Sequence, residues 1–191
     1  AVLSGAVAPL ADWISYNSYT HLGPFGPRLS HEAASRRLAQ IQADLDAVAT
    51  LNRATSRPAA AGRVVQTAVD EWNEFAWGDI TDNRRVATYD LAHALFTAGF
   101  LHAMLRHADQ VTLATYSPAV NCRGPIVADA RGVLLRSSFY VLEMYRSCAG
   151  GEVLAAKAEV PTLMGSAAPA LDAIAVRSPD GDLTLFVINR E

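Results

Sequence analysis

The chain has 191 residues, enough for one domain or one and a fraction, and 51% of them are apolar, enough for a substantial core. A net charge of −3 with scattered basic residues excludes the electrostatic footprint of a nucleic-acid binder. The apolar runs are too short and too broken to span a membrane, and Cys122 and Cys148 have neither metal-ligand spacing nor a disulfide framework, so buried free thiols are expected. The opening Ala-Val-Leu-Ser-Gly-Ala-Val-Ala is apolar but lacks the basic leader of a signal peptide. The chain reads as entered part-way through a longer protein, whose compartment is not legible beyond a lean to the cytoplasm.

From Asp12 to Tyr19, aromatic and β-branched residues predict a strand. A Gly/Pro loop follows, and Ser30 offers an N-cap for a helix over 31–53, where Leu38, Ile41, Leu45 and Val48 recur at helical spacing. Ser56-Arg57-Pro58 ends it. Val64 to Val69 predicts a strand buried on both faces. A polar loop to Thr88 leads to a second helix over 89–107, with Leu91, Leu95, Ala98, Leu101 and Leu105 on one face. Val111 to Tyr116 predicts another short buried strand, and Ser138 to Tyr145 a short helix. Such alternation implies parallel strands with crossover helices, in an open sheet or a (β/α)₈ barrel. Near residue 150 the pattern changes. Glu152 to Val160 reads as an isolated strand, and 171–176 and 183–188 flank the turn signal Ser-Pro-Asp-Gly-Asp. The expectation is α/β: residues 1–150 as about three βα units, the C-terminal portion of a barrel that needs eight, and 151–191 as the start of an antiparallel β-sandwich.

In a βα barrel the chemistry sits at the C-terminal ends of strands. The three strand ends here carry Asn17 and Tyr19, then Asp70-Glu71-Trp72-Asn73, then Tyr116-Ser117. The middle one stands out. Strand alternation would put Asp70 and Glu71 on opposite sides, with one facing a pocket. Trp72 offers an apolar ring to a sugar, and Asn73 a donor and an acceptor to its hydroxyls. A retaining glycosidase needs two carboxyl groups roughly 5–5.5 Å apart, and no other strand end here supplies a second one. By composition alone, a solvated loop with a core Trp accounts for the tetrapeptide slightly better.

The segment Ala68-Val-Asp-Glu-Trp-Asn73 resembles the nucleophile motif of the α-L-arabinofuranosidases of glycoside hydrolase family 51. Asp90 to Asp109 is similar to the helix that follows it in that family. Ser117-Pro-Ala-Val-Asn-Cys-Arg-Gly-Pro-Ile126 resembles the loop after the last barrel strand, and Trp13-Ile-Ser-Tyr-Asn-Ser-Tyr19 the sixth-strand motif. The resemblance runs over nearly the whole chain and implies strands six to eight of the barrel plus the start of the sandwich. It implies Glu71 as the nucleophile of a retaining arabinofuranosidase, with Tyr19, Asn17, Trp72 and Asn73 lining the sugar site. The family's acid/base Glu follows Gly-Asn. No Gly-Asn-Glu occurs here, so that residue is expected outside this chain. Many members have His in place of Asn17, Trp in place of Phe75 and Gln in place of Pro118, which touches fine specificity rather than the nucleophile. The implied substrate is an arabinan, an arabinoxylan or their oligosaccharides, with a homo-oligomeric parent protein.

His93, His102 and His107 sit on one predicted helix, but spacings of nine and five do not share a face, so no metal and no cofactor are assigned. His21 could reach the pocket mouth or hydrogen-bond its own loop. Trp77 serves equally as a sugar platform or as packing, Arg123-Gly124-Pro125 reads as structural, and Glu74 and Asp79 as solvated. Two other functions compete: the same scaffold acting on a β-xyloside or a glucan, and an inactive fragment or carbohydrate-binding module. The isolated 191 residues are expected to show little activity.

Overall fold

The computed structural model describes residues 11–21, 31–55, 64–75, 90–163 and 169–191. The Ser30 cap, the 56–58 linker, Trp77 and Asp79 lie outside them. In chain order the elements are β1 (Trp13–His21), α1 (His31–Thr55), β2 (Gln66–Phe75), α2 (Leu91–Leu105), β3 (Val111–Tyr116), β4 (Ile126–Asp129), β5 (Gly132–Leu135), α3 (Ser137–Arg146), β6 (Glu152–Leu154), β7 (Leu171–Arg177) and β8 (Leu183–Asn189). The fold is α/β. β1, β2 and β3 form a parallel sheet with β2 central, β4 and β5 an antiparallel hairpin, and β6, β7 and β8 an antiparallel sheet.

Both long helices cover the same face of the parallel sheet. Ile41 and Leu45 of α1 meet Val69 and Trp72 of β2 and Phe96, Phe100, Ala103 and Met104 of α2 in one buried cluster. Of the predicted stripe, Ile41 and Leu45 are fully buried, Leu38 packs on the cluster and Val48 is half-buried, while Ala49 takes the next buried position. α2 differs from its expected face: Leu91 is exposed, and Phe96, Phe100 and Met104 carry the packing. Because α2 is apolar nearly all round, periodicity could not choose a side. Asp90 caps it, its Oδ1 accepting from the N–H groups of Ala92 (3.0 Å) and His93 (3.4 Å). α1 and α2 approach closely at Gly99, where a Cβ would lie 2.5 Å from a Leu38 methyl.

Among the described residues no element covers the sheet's other face. Trp13, Ser15 and Asn17 of β1 are exposed there, as are Leu113 and Thr115 of β3. β3, expected as a short buried strand, is largely exposed, because among the described residues helices cover one face of the sheet only. β2 also runs longer than its apolar run suggests, to Phe75, so Asp70 and Glu71 lie inside the strand rather than just past it.

The C-terminal sheet docks on α2 and α3 through Leu105, Tyr145, Cys148, Ile174, Val176 and Phe186, with Tyr145 stacked on Phe186 at 4.2 Å. A buried ionic knot lies at the same junction. Asp172 of β7, 5% exposed, accepts from Arg106, the C-cap of α2, and, at 2.6 Å, from Arg190, and lies 3.2 Å from His102 Nδ1. Burial alone would raise its carboxyl; the hydrogen bonds from His102 and Arg106 outweigh that and hold it at about 2. Glu152 to Val160, expected as one isolated strand, is strand only to Leu154 and pairs with β7; Lys157 to Val160 pairs with no strand among the described residues.

Candidate active site

β1 presents Ser15, Asn17 and Tyr19 on one face by strict alternation. β2 answers with a bulge. Ser15 pairs with Ala68 and Asn17 with Glu71, while Val69 pairs with Ala114 and Trp72 with Tyr116, so three residues of β2 span two on each neighbour. The extra residue resets the alternation at Asp70-Glu71 and turns both carboxylates to the open face. The expectation that they point apart across the sheet is therefore corrected. They splay along the strands instead: Asp70 Oδ1 accepts from Ser15 Oγ (2.7 Å), and Glu71 Oε2 accepts from Tyr19 Oη (2.8 Å), four residues further along β1. Thr115 Oγ1 donates to the Asp70 carbonyl at 2.5 Å and pins the bulge from the β3 side. Glu71 is exposed, and Asn17 stands beside it in register.

Trp72 and Asn73 are both buried instead. Trp72 is 2% exposed, packed against Phe100 (ring centroids 4.7 Å) and edge-on to Tyr116 (4.8 Å). Its register with Ser18 turns it to the helix side, so it has no face to offer a sugar. Asn73 is equally buried and its amide is saturated. Nδ2 donates to the carbonyls of Ser117 and Arg123, both at 3.1 Å, and Oδ1 accepts from Tyr116 Oη (2.8 Å), the Glu74 N–H (2.8 Å) and His93 Nε2 (3.1 Å). No capacity remains for a ligand hydroxyl. Both residues brace the strand end that carries Glu71. Glu74, expected to be solvated, is 5% exposed because β2 continues through it.

The protonation states of this brace follow from burial. Desolvation, with the Arg136 cation adding to it, lowers the His93 imidazole to about 3, so it is neutral and donates from Nε2. Burial pushes the Tyr116 hydroxyl up to about 12, so it stays a donor. His102 and His107 are buried too: His102 meets Tyr145 and Asp172, and His107 Nε2 lies 2.8 Å from Asp46 of α1. Among the described residues, no cluster of three or more His, Cys, Asp or Glu is placed to hold a metal.

The loop after β3 closes over the site. Arg123 lays its guanidinium 4.8 Å from the centroid of the Tyr19 ring. Reading Arg123-Gly124-Pro125 as structural holds for the two buried residues, whereas the Arg123 side chain reaches the site. No local signal marks that contact. Ser15 was also missed, although its period-two spacing with Asn17 and Tyr19 was legible.

A family model, the alpha-L-arabinofuranosidase C-terminal domain, matches residues 70–181. The chain belongs to this family. It is 24% identical over 200 residues to a probable alpha-L-arabinofuranosidase C of Aspergillus clavatus, covering 98% of this chain and 39% of that protein. An intracellular exo-alpha-(1->5)-L-arabinofuranosidase of Streptomyces lividans is 32% identical over 106 residues, 53% of this chain and 16% of that protein. Among solved structures, the alpha-L-arabinofuranosidase from Thermotoga maritima in its arabinose complex aligns with a TM-score of 0.74 at 25% identity, over 93% of this chain and 38% of that one. A family 51 alpha-L-arabinofuranosidase from Bifidobacterium longum, 18% identical, shares the fold with a TM-score of 0.77 over 94% of this chain and 40% of its own. The family member described here thus spans about two fifths of the length of the full-length relatives it matches.

Proposed function

We propose that the protein carrying this chain is a retaining glycoside hydrolase that removes terminal non-reducing α-L-arabinofuranosyl residues from arabinan, arabinoxylan or their oligosaccharides, with Glu71 as nucleophile. One observation carries the reading: an exposed carboxylate, turned outward by a bulge in a parallel strand and oriented by a tyrosine hydroxyl at 2.8 Å, within a chain of this family. The free oxygen of Glu71 attacks the anomeric carbon as the glycosidic C–O bond breaks. The departing oxygen takes a proton from an acid/base carboxyl roughly 5–5.5 Å from the nucleophile, and water then hydrolyses the glycosyl ester with net retention. Asp70 is a poor candidate for that partner, since it is held toward Ser15. The acid/base is assigned outside this chain. On this reading residues 1–150 are strands six to eight of a (β/α)₈ barrel with their helices, and 151–191 begin a β-sandwich.

Labelling the full-length protein with an activated arabinofuranosyl inactivator and mapping the adduct by mass spectrometry tests the assignment. A single adduct on the Glu71 peptide is expected. An adduct on another carboxylate, or none on folded protein, refutes it. Asn17 pairs in register with Glu71 where many family members carry His, which favours one second reading, the same mechanism on a β-xyloside or a glucan. A panel of aryl glycosides separates the two.

A further inference from the structure

We propose that Arg123 is a positioning residue that acts on the nucleophile through Tyr19, an inference that rests on the glycosidase reading of Glu71. The chain of contacts is short. The Arg123 guanidinium sits over the Tyr19 ring at 4.8 Å, and the hydroxyl of that ring donates to Glu71 Oε2 at 2.8 Å. A cation over the ring face is held by the ring's quadrupole and fixes the ring's orientation. With the phenol fixed, one carboxylate oxygen is committed to it and the other is left to face the sugar in a set orientation. Orientation of this kind acts on the reaction rate.

The backbone around Arg123 is built to hold this pose. Three consecutive carbonyls are each taken by a side-chain donor from elsewhere. Arg136 Nη1 donates to Cys122 (2.6 Å) and Gly124 (2.8 Å), and Asn73 Nδ2 donates to Arg123 (3.1 Å). Arg136 is itself 2% exposed. Asn121 and Cys122 both adopt left-handed backbone (φ 60° and 46°), a conformation non-glycine residues hold only when their surroundings impose it. At Gly124 a Cβ would lie 2.8 Å from the Ala119 carbonyl carbon, so the loop folds back on itself tightly there. Asn73 links the two halves of the device, since it stands two residues beyond Glu71 and holds the carbonyl of Arg123. The nucleophile strand and the arginine loop are therefore set by the same amide.

The test is a kinetic double-mutant cycle in the full-length protein on an aryl α-L-arabinofuranoside: wild type, Arg123→Met, Arg123→Lys, Tyr19→Phe, and Tyr19→Phe with Arg123→Met. Arg123→Met should lower kcat roughly 2- to 30-fold, the range spanned by cation–π contacts, with KM little changed. Arg123→Lys, which keeps a cation for the ring, should recover much of that loss. In the Tyr19→Phe background, which keeps the ring and lacks the hydroxyl, Arg123→Met should cost nothing further. The same loss in both backgrounds, a change confined to KM, or a lysine variant as impaired as methionine would each overturn the proposal. Wild-type protein with neither turnover nor a Glu71 adduct would instead bring down the glycosidase reading, and this inference with it.

Discussion

Truncating Trp72 to alanine separates a core ring from a sugar platform. The side chain is 2% exposed and packs against Phe100 and Tyr116 at ring centroid distances of 4.7 and 4.8 Å. Removing a buried Trp typically costs about 3–5 kcal/mol. Each of the two aromatic pairs accounts for about 0.5–1.5 kcal/mol of interaction beyond its buried area, which puts Trp72 toward the upper half of that range. Against a total stability of about 5–15 kcal/mol such a loss is severe. Trp72→Phe should be much milder, because it keeps an aromatic ring in the gap and the indole N–H it deletes has no hydrogen-bond partner among the described residues. Urea unfolding of the full-length protein followed by circular dichroism, alongside KM for an aryl arabinofuranoside, reads both consequences. A stability loss under about 1 kcal/mol with a tenfold rise in KM would refute the burial argument and return Trp72 to the sugar site.

Two further predictions concern buried charge. Asp172→Asn should cost about 3–5 kcal/mol near neutral pH, because Arg106 and Arg190 lose their shared anion. The folded carboxyl, at about 2, lies below its unfolded value of about 3.9, so its contribution is complete above about pH 4 and is lost as pH falls through about 2. Urea titrations should show the gap between wild type and variant narrowing, without closing, over that window, and a gap constant with pH would refute it. His93 has the opposite chemistry and the same direction: its unfolded form takes up a proton below about 6.5 while the folded form resists to about 3. Acidification through that range should therefore destabilise the protein by up to about 1.4 kcal/mol per pH unit from this group, a slope that His93→Gln removes. An unchanged slope in the variant would show that His93 is not the group responsible.

Much of this was legible in the residues. Leu38, Ile41 and Leu45 specify the inward stripe of α1 by spacing alone, and Ser178 to Asp182 specifies the β7–β8 turn, where Gly181 takes φ +94°. The resemblance singled out the segment containing Glu71, and alternation along β1 put Asn17 and Tyr19 on one face. Such features are local: they depend on helical or strand periodicity and on turn chemistry, which a single segment carries in itself. The β4–β5 hairpin escaped, because four-residue strands joined at Ala130-Arg131 give too little pattern to read.

What tertiary structure decided is where each side chain of Asp70-Glu71-Trp72-Asn73 ends up. Alternation predicts opposed carboxylates, but a bulge exists only relative to a neighbouring strand, and the registers with β1 and β3 turn Asp70 and Glu71 to the same face. Trp72 then falls to the helix side, and Asn73 is consumed by the carbonyls of a loop more than forty residues away. The Arg123 contact with Tyr19, and the convergence of Arg106, Arg190 and His102 on Asp172, likewise join segments distant in sequence. Periodicity specifies which residues can share a face. Strand register and hydrogen-bond partners, supplied by the rest of the fold, determine which of them remain free to meet a substrate.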